Sequence, residues 1–393
     1  MATDYRASRR HELGTPIVDE DNGAWFSGDP PLDRALLRRA KDTQTSSSDT
    51  AQCLQTAAFR MARDFLEMAT RRRHANREQE NPMKGWQLVE FDKPPLLVEK
   101  EDPTPGPGQV VLDVKGCGMC HSDLVQLHAV GADFVLNKIM GHELAGIISA
   151  VGEGVTEWKT GDRVAVCPTA TESVPGFFRD GGFATKYLGV AEELVAIPDG
   201  VDWTYGAMMT DAGMTSYHAL VKRGGLTKDM KVGIIGLGGL GQIAARVAVL
   251  VGADVHVAEV KTEVWPLAER LGVKHIVGGA AEWENQGFDL VVDYAGFGTT
   301  TNAAIKALRP DGTAVQVGLG VNETNFTIAE MISRNVKLFG SRGGTKEDIM
   351  ELYEYVESGD LAPEVTQIGF DDIPQGLEDL EANKVTGRLV ALF

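Results

Sequence analysis

Residues 117–123 read Cys-Gly-Met-Cys-His-Ser-Asp, which places two thiols, an imidazole, a hydroxyl and a carboxylate within seven positions. Three chemistries fit that run. C-x-x-C-H is the haem-attachment pattern, but it needs an exported chain, and no apolar N-terminal segment directs export. Redox exchange at C-x-x-C needs a thioredoxin-like βαβ setting, which is absent around these residues. The third is a metal site in which one thiolate is completed by distant partners. Gly141-His142-Glu143 lies 22 residues beyond Cys120 and offers an imidazole and a carboxylate at the head of an apolar strand. Soft thiolate with imidazole suits zinc. A catalytic zinc takes three protein ligands and keeps an open position, so one more ligand is required.

A second constellation concerns phosphate. Gly236-Leu237-Gly238-Gly239-Leu240-Gly241 fits G-x-G-x-x-G, follows the apolar strand Val232–Ile235 and opens a helix at Gln242. In that context the first glycine permits a tight turn, the second lets backbone approach a pyrophosphate, and the third allows close helix–strand packing. The helix N-terminus adds free N–H groups and partial positive charge. The following strand ends in Glu259, 18 residues past Gly241. A carboxylate there accepts from the adenosine ribose hydroxyls and repels a 2′-phosphate, so NAD is expected over NADP, with Lys261 softening the preference.

The elements that must position these groups fall into two styles. Short β-rich runs separated by Gly, Pro and Asp occupy about 83–200: Gly85–Phe91, Gln109–Gly116, Glu143–Val151, Arg163–Cys167, Ala184–Gly189 and Leu194–Ile197. Such spacing predicts a small barrel or sandwich. From 231 to 341 strands alternate with helices, which predicts a parallel sheet covered on both faces, and the class is α/β. Residues 1–82 differ: they hold 13 basic and 13 acidic side chains, with helices expected over 32–42 and 51–80 and an arginine run at Arg71–Arg73 that reads as a solvated face.

At this point the chain resembles a known family. Gly141-His142-Glu143, Gly152-Glu153-Gly154-Val155, Gly161-Asp162-Arg163-Val164 and Gly236 to Gly241 recur in the order of the zinc-containing alcohol dehydrogenases, within the medium-chain dehydrogenases/reductases. The resemblance covers about 83–393. It implies a GroES-like catalytic domain over 83–215, completed by 351–393, wrapped around a Rossmann domain over 216–350, with 1–82 as an N-terminal extension. By position, Cys120 and His142 resemble zinc ligands, and Glu143 the neighbouring carboxylate that can transiently take a ligand place. Ser122 is similar to the hydroxyl that receives the substrate's proton, His121 to the residue at the cofactor phosphates, and Asp123 to a partner orienting the ligand histidine. Thr215 resembles the nicotinamide-side contact, and Arg388 of Thr386-Gly387-Arg388 the pyrophosphate-binding arginine. Relatives are commonly dimers or tetramers joined through the Rossmann sheet, with Val336–Gly340 as the edge strand here.

Three departures from the family pattern carry weight. Asp211, in Asp211-Ala212-Gly213-Met214-Thr215, stands where many members have a cysteine ligand. Some secondary-alcohol dehydrogenases use aspartate there, so Asp211 is the expected third ligand, against an N-cap role for a helix over 212–221. The four-cysteine structural-zinc lobe is replaced by a short loop, Pro168–Asp180, in which Phe177 or Phe178 could line the pocket. One catalytic zinc and no structural zinc follow. Val125 stands where a histidine often ends the proton relay, leaving ribose and water, or His128, as the exit. The remaining histidines, His218, His256 and His275, read as core or surface packing, and Cys117 as a buried free thiol.

Composition narrows the rest. The formal net charge is −18, all of it beyond residue 82, which disfavours nucleic acid as a partner. The sequence lacks an apolar run long enough to span a membrane. Four cysteines in 393 residues suit a reducing, cytoplasmic setting. The expected function is transfer of hydride between a small alcohol, ketone or aldehyde and NAD. A zinc-free reductase of activated C=C bonds and a catalytically idle NAD-binding scaffold are the alternatives.

Overall fold

The computed structural model describes residues 82–130 and 134–393, so the helices expected over 32–42 and 51–80, the Arg71–Arg73 run and Cys53 lie outside the described residues. The described chain begins with Met83–Leu88 (β1), Leu96–Lys100 (β2) and Gln109–Met119 (β3). Helix His121–Leu127 (α1) leads to Lys138–Ile139 (β4), Glu143–Val151 (β5), Arg163–Val166 (β6), Lys186–Val190 (β7) and Leu194–Ala196 (β8). A long helical run over 203–223 precedes Lys231–Ile235 (β9), helix Gly241–Val251 (α2), Asp254–Ala258 (β10), Trp265–Arg270 (α3) and His275–Val277 (β11). Then come Phe288–Asp293 (β12), Thr299–Ala307 (α4), Leu308–Gln316 (β13), Ile328–Arg334 (α5), Lys337–Gly340 (β14), Lys346–Glu357 (α6), Val365–Gly369 (β15), Ile373–Glu381 (α7) and Arg388–Leu392 (β16).

The sheet order β15-β16-β3-β5-β6-β8, with β7 also on β3, builds the first layer. It is antiparallel except for the β15/β16 pair. β3 is its spine, because alternate and adjacent apolar residues (Val110, Leu112, Val114, Met119) are all buried. A register that pairs Gly118 with Glu143 brings the end of β3 alongside the start of β5. β2, β1 and β4 form a small separate sheet.

The six strands β11-β10-β9-β12-β13-β14 run parallel throughout. In chain order this is 3-2-1-4-5-6, the doubly wound order whose reversal beside the first strand opens a crevice for a dinucleotide. β9 and β12 are central, and their continuous apolar runs Val232–Ile235 and Leu290–Val292 are buried as such strands must be. This is the GroES-like plus Rossmann α/β architecture expected above. Glu143–Val151 and Phe288–Asp293 match the sequence reading to the residue. β2 was not anticipated: it follows Pro94-Pro95, leaves Leu96 and Leu97 exposed, and is held by backbone pairing to β1 rather than by apolar burial.

The helix expected over 212–221 begins at Trp203 instead. Asp202 caps it, accepting from the Tyr205 N–H at 3.0 Å, and the run continues to Arg223 through π-helical turns at Met209–Gly213 and His218–Arg223. Asp211 therefore lies inside a helix, and its N-cap reading is overturned. Among the described residues, no helix is long and apolar enough to cross a membrane.

The tightest backbone contact in the parallel layer lies at Gly241, where a Cβ would fall 1.8 Å from the Gly236 carbonyl oxygen. Gly241→Ala is expected to cost about 3 kcal/mol of stability, read as a lower thermal midpoint in a calorimetric scan.

Candidate active site

The chain turn after β3 sets the first group. Cys120 has extended backbone, its N–H donates to Asp123 Oδ2 at 2.8 Å, and α1 starts at the next residue. The second Asp123 oxygen lies 3.1 Å from His142 Nδ1. One fully buried carboxylate thus holds both the Cys120 backbone and the His142 ring. That turns His142 Nε2 toward Asp211 Oδ2 (3.5 Å) and Glu143 Oε1 (3.8 Å). Gly118 of the Cys-Gly-Met-Cys run is what lets Glu143 sit there, since a Cβ on it would fall 2.0 Å from Glu143 Oε2. The donor atoms of Cys120, His142, Glu143 and Asp211 all lie within 4.8 Å of one another.

Asp211 reaches this cluster from the π-helical turn. An extra residue in a helical turn re-aims the side chains that follow, and such turns concentrate at functional sites. Its Oδ1 accepts from the Thr215 hydroxyl at 2.9 Å, leaving Oδ2 for the cluster. Ser122 Oγ lies 3.5 Å from Cys120 Sγ.

The electrostatics separate the two cysteines of the motif. Burial raises the Cys117 thiol well above its ordinary value, and the thiol stays inert. Burial also raises Cys120, but the Arg388 guanidinium and His142 outweigh it, so Cys120 ionises more readily than a free cysteine. Burial opposes charge on His142 as well, yet Asp123, Asp211 and Cys120 raise it well above the imidazole range. Asp211 is lowered against its burial by His142 and Thr215. Thiolate from Cys120, imidazole from His142 and carboxylate from Asp211 would hold a metal here, a donor set that fits zinc.

The glycine loop lies beside the cluster. Gly236 takes φ +86°, and a Cβ on Gly238 would meet nothing within 4 Å, which leaves open space at the α2 N-terminus. Gly239 packs against Arg388 Cδ and the Gly387 carbonyl, at 3.1 and 3.2 Å from where its Cβ would be. Leu240 accepts from Ser216 Oγ at 2.8 Å, tying the loop to the 203–223 helix that carries Asp211. Glu259 accepts from Leu237 N–H and Lys261 N–H, both at 2.8 Å. His121 is lowered by desolvation and then by the Arg388 and Lys261 charges. Gly238 would leave room for a pyrophosphate at the α2 N-terminus, and Glu259 would offer a carboxylate to a ribose.

Arg388 joins the two halves. Sequence placed it at a pyrophosphate alone. Here it is buried, packs on Gly239, donates from Nε to Glu143 Oε2 at 3.2 Å, pairs through its second nitrogen with Glu143 Oε1, and approaches Asp211 Oδ2 at 3.5 Å. Gln242 was missed altogether. Its buried amide donates to the Glu364 carbonyl at 2.9 Å and accepts the Glu364 N–H at 2.7 Å, clamping α2 to the chain entering β15. Only its place next to Gly241 could have flagged it.

The Pro168–Asp180 loop also takes part. Gly176 and Gly181 press on Gly141, where Cβ atoms would come within 2.8 and 2.1 Å of its backbone. Phe177 lies against the His142 ring at 4.8 Å between centroids, while Phe178 is 43% exposed. Of the two candidates, Phe177 is the one at the site. Arg179 ties the loop down by pairing with buried Glu193 and with Tyr187. His128 is not placed as a relay end: Asp92 holds its Nδ1 at 2.7 Å, and Glu381 faces its Nε2 at 3.1 Å.

Residues 106–199 match the family described as the alcohol dehydrogenase GroES-like domain, and 239–358 the zinc-binding dehydrogenase family. An alcohol dehydrogenase from Geobacillus stearothermophilus is 31% identical over 337 residues, covering 78% of this chain and 99% of the relative. The chain belongs to the zinc-containing alcohol dehydrogenase family. Two solved structures in that family agree with its fold. Acetophenone reductase from Geotrichum candidum, in complex with NAD, is 28% identical with a TM-score of 0.75, covering 80% of this chain and 98% of its own. The alcohol dehydrogenase of Aeropyrum pernix is 28% identical with a TM-score of 0.73, covering 79% and 100%.

Because Asp123 orients His142 and fixes Cys120 N–H, the near-isosteric Asp123→Asn change in this alcohol dehydrogenase is expected to weaken metal binding by about 10–100-fold. Chelator competition reads that loss, and cofactor binding should be retained.

Proposed function

We propose that this alcohol dehydrogenase transfers hydride between the carbinol carbon of a secondary alcohol and NAD, with one catalytic zinc held by Cys120, His142 and Asp211. The observation that carries the reading is the convergence of those three donors with Glu143 beside the Gly236–Gly241 loop. When bound, zinc supplies a Lewis acid at the substrate oxygen, and NAD supplies the hydride acceptor. The chain's own residues do the rest. Asp123 fixes the His142 ring, and Thr215 holds Asp211 in the orientation that ligation needs. Ser122 Oγ, next to Cys120 Sγ, would take the alcohol proton and release it to water, because Val125 offers no acceptor and His128 is engaged elsewhere. Glu143 stands ready as a further carboxylate whose charge Arg388 balances.

Aspartate as third ligand and Phe177 against His142 support a secondary alcohol or ketone, and the acetophenone reductase among the relatives acts in the same sense. Glu259 favours NAD. We assign the domains as 83–215 with 351–393, around 216–350, and 1–82 as an extension. Exposed Phe339 on β14 and exposed Ile328 and Ile332 on α5 support a homodimer or homotetramer joined along the Rossmann edge. Free Cys117, Cys120 and Cys167 suit a reducing compartment, and we place the enzyme in the cytoplasm.

Chelator treatment should abolish NAD-linked oxidation of secondary alcohols and added zinc should restore it; undiminished turnover in metal-free protein would sink the reading. Asp211→Ala should lower kcat/KM by about 10²–10³-fold or more, with NAD still bound in a fluorescence titration. Glu259→Ser should move the NADP/NAD ratio of kcat/KM upward by roughly tenfold, about 1.4 kcal/mol, and an unchanged ratio would remove Glu259 from cofactor choice.

A further inference from the structure

A cluster that the dehydrogenase chemistry does not use lies at the other end of the parallel sheet. Asp254 opens β10, His256 follows two residues on and so projects from the same face, and His275 opens the edge strand β11. The parallel register places His256 directly beside His275, and the rings stack at 4.3 Å with planes 14° apart. Both imidazoles turn Nε2 toward one carboxylate: His256 Nε2 is 3.2 Å from Asp254 Oδ2, and His275 Nε2 is 3.7 Å from Asp254 Oδ1. All three donor atoms lie within 4.8 Å of one another.

We propose that Asp254, His256 and His275 form a second, peripheral site for a divalent transition metal of the zinc, copper or nickel class. Two imidazole nitrogens and one carboxylate oxygen are the ligand types such ions take, and three protein ligands leave the remaining positions to water. The site is partly built already. His256 is 13% exposed at its side chain and seated edge-on against Phe288 at 5.1 Å, in register with Gly233 of β9. His275 and Asp254, at 53% and 54%, keep the open side wet. Lys231, in register with Asp254, is drawn aside to the Gln286 carbonyl and over Phe288.

The site is separate from the catalytic one. Glu259 lies at the cofactor end of β10, and five residues of strand put Asp254 roughly 16 Å from it. An ion here fastens the edge strand β11 to β10 and stabilises the folded state without touching the chemistry. The inference does not rest on the proposed activity.

The test uses the full chain, stripped of metal and titrated with zinc by calorimetry. Two equivalents are expected. His275→Gln and Asp254→Asn should each abolish one of them and leave NAD-linked turnover unchanged, while Cys120→Ser should remove the other and keep the peripheral one. Zinc uptake that neither His275→Gln nor Asp254→Asn lowers, whether the unaltered chain takes one equivalent or two, would overturn the proposal, whereas a single equivalent lost with those changes and kept in Cys120→Ser would count against the catalytic zinc instead.

Discussion

The buried guanidinium of Arg388 is the interaction on which the rest depends. Glu143, Asp211 and the Cys120 thiol are drawn into one pocket, and three acids so close would not share it without compensation. Arg388 supplies the compensating positive charge, paired with Glu143 and close to Asp211. It does so from β16, the strand that returns from the far end of the sequence to pair with β3. A buried pair of this kind is poor evidence for net stability, but removing one partner leaves the other charged and unpaired. The Cys120, His142 and Asp211 donors, the Glu143 carboxylate beside them and the closing strand of the antiparallel sheet are therefore one electrostatic unit.

That unit is also where the two layers meet. Arg388 packs on Gly239, Ser216 binds the Leu240 carbonyl, and Gln242 holds both backbone groups of Glu364. Each contact joins the glycine loop or its helix to a segment that carries or supports a metal-site residue. The glycine loop and the four-donor cluster are consequently positioned by the same few bonds. The 203–223 helix bridges them physically, with Asp211 facing one side and Ser216 tied to the other.

Much of this was legible in the sequence, for reasons that differ by element. The central parallel strands are continuous apolar runs, so β12 was readable to the residue, and the glycine loop was readable because each glycine answers a steric demand. Cys120 and His142 stood out as donor types, and the resemblance supplied Asp211. What sequence could not give depends on distant residues meeting. β2 survives on backbone pairing to β1 and leaves its leading apolar pair, Leu96 and Leu97, exposed, so its apolar residues do not mark a buried face. The helix start at Trp203 was hidden because Asp202 and Asp211 offer equal capping chemistry, and only the packing of 203–208 against β3 and β5 decides between them. His256 and His275 read as separate packing residues until the register of β10 and β11 set them side by side.

The contacts of Gly141 carry a consequence for anyone who would reshape this protein. The Pro168–Asp180 loop looks like a surface module, short and variable in character, of the sort exchanged between homologues to retune a pocket. Yet Gly176 and Gly181 lie on the backbone immediately before His142, Gln126 holds the Gly176 carbonyl, and Phe177 covers the imidazole itself. The loop therefore packs on the backbone that leads into His142 as well as on the ring itself. Transplanting it whole would shift ligand geometry along with substrate fit, so redesign has to proceed one side chain at a time, with the two small residues left in place.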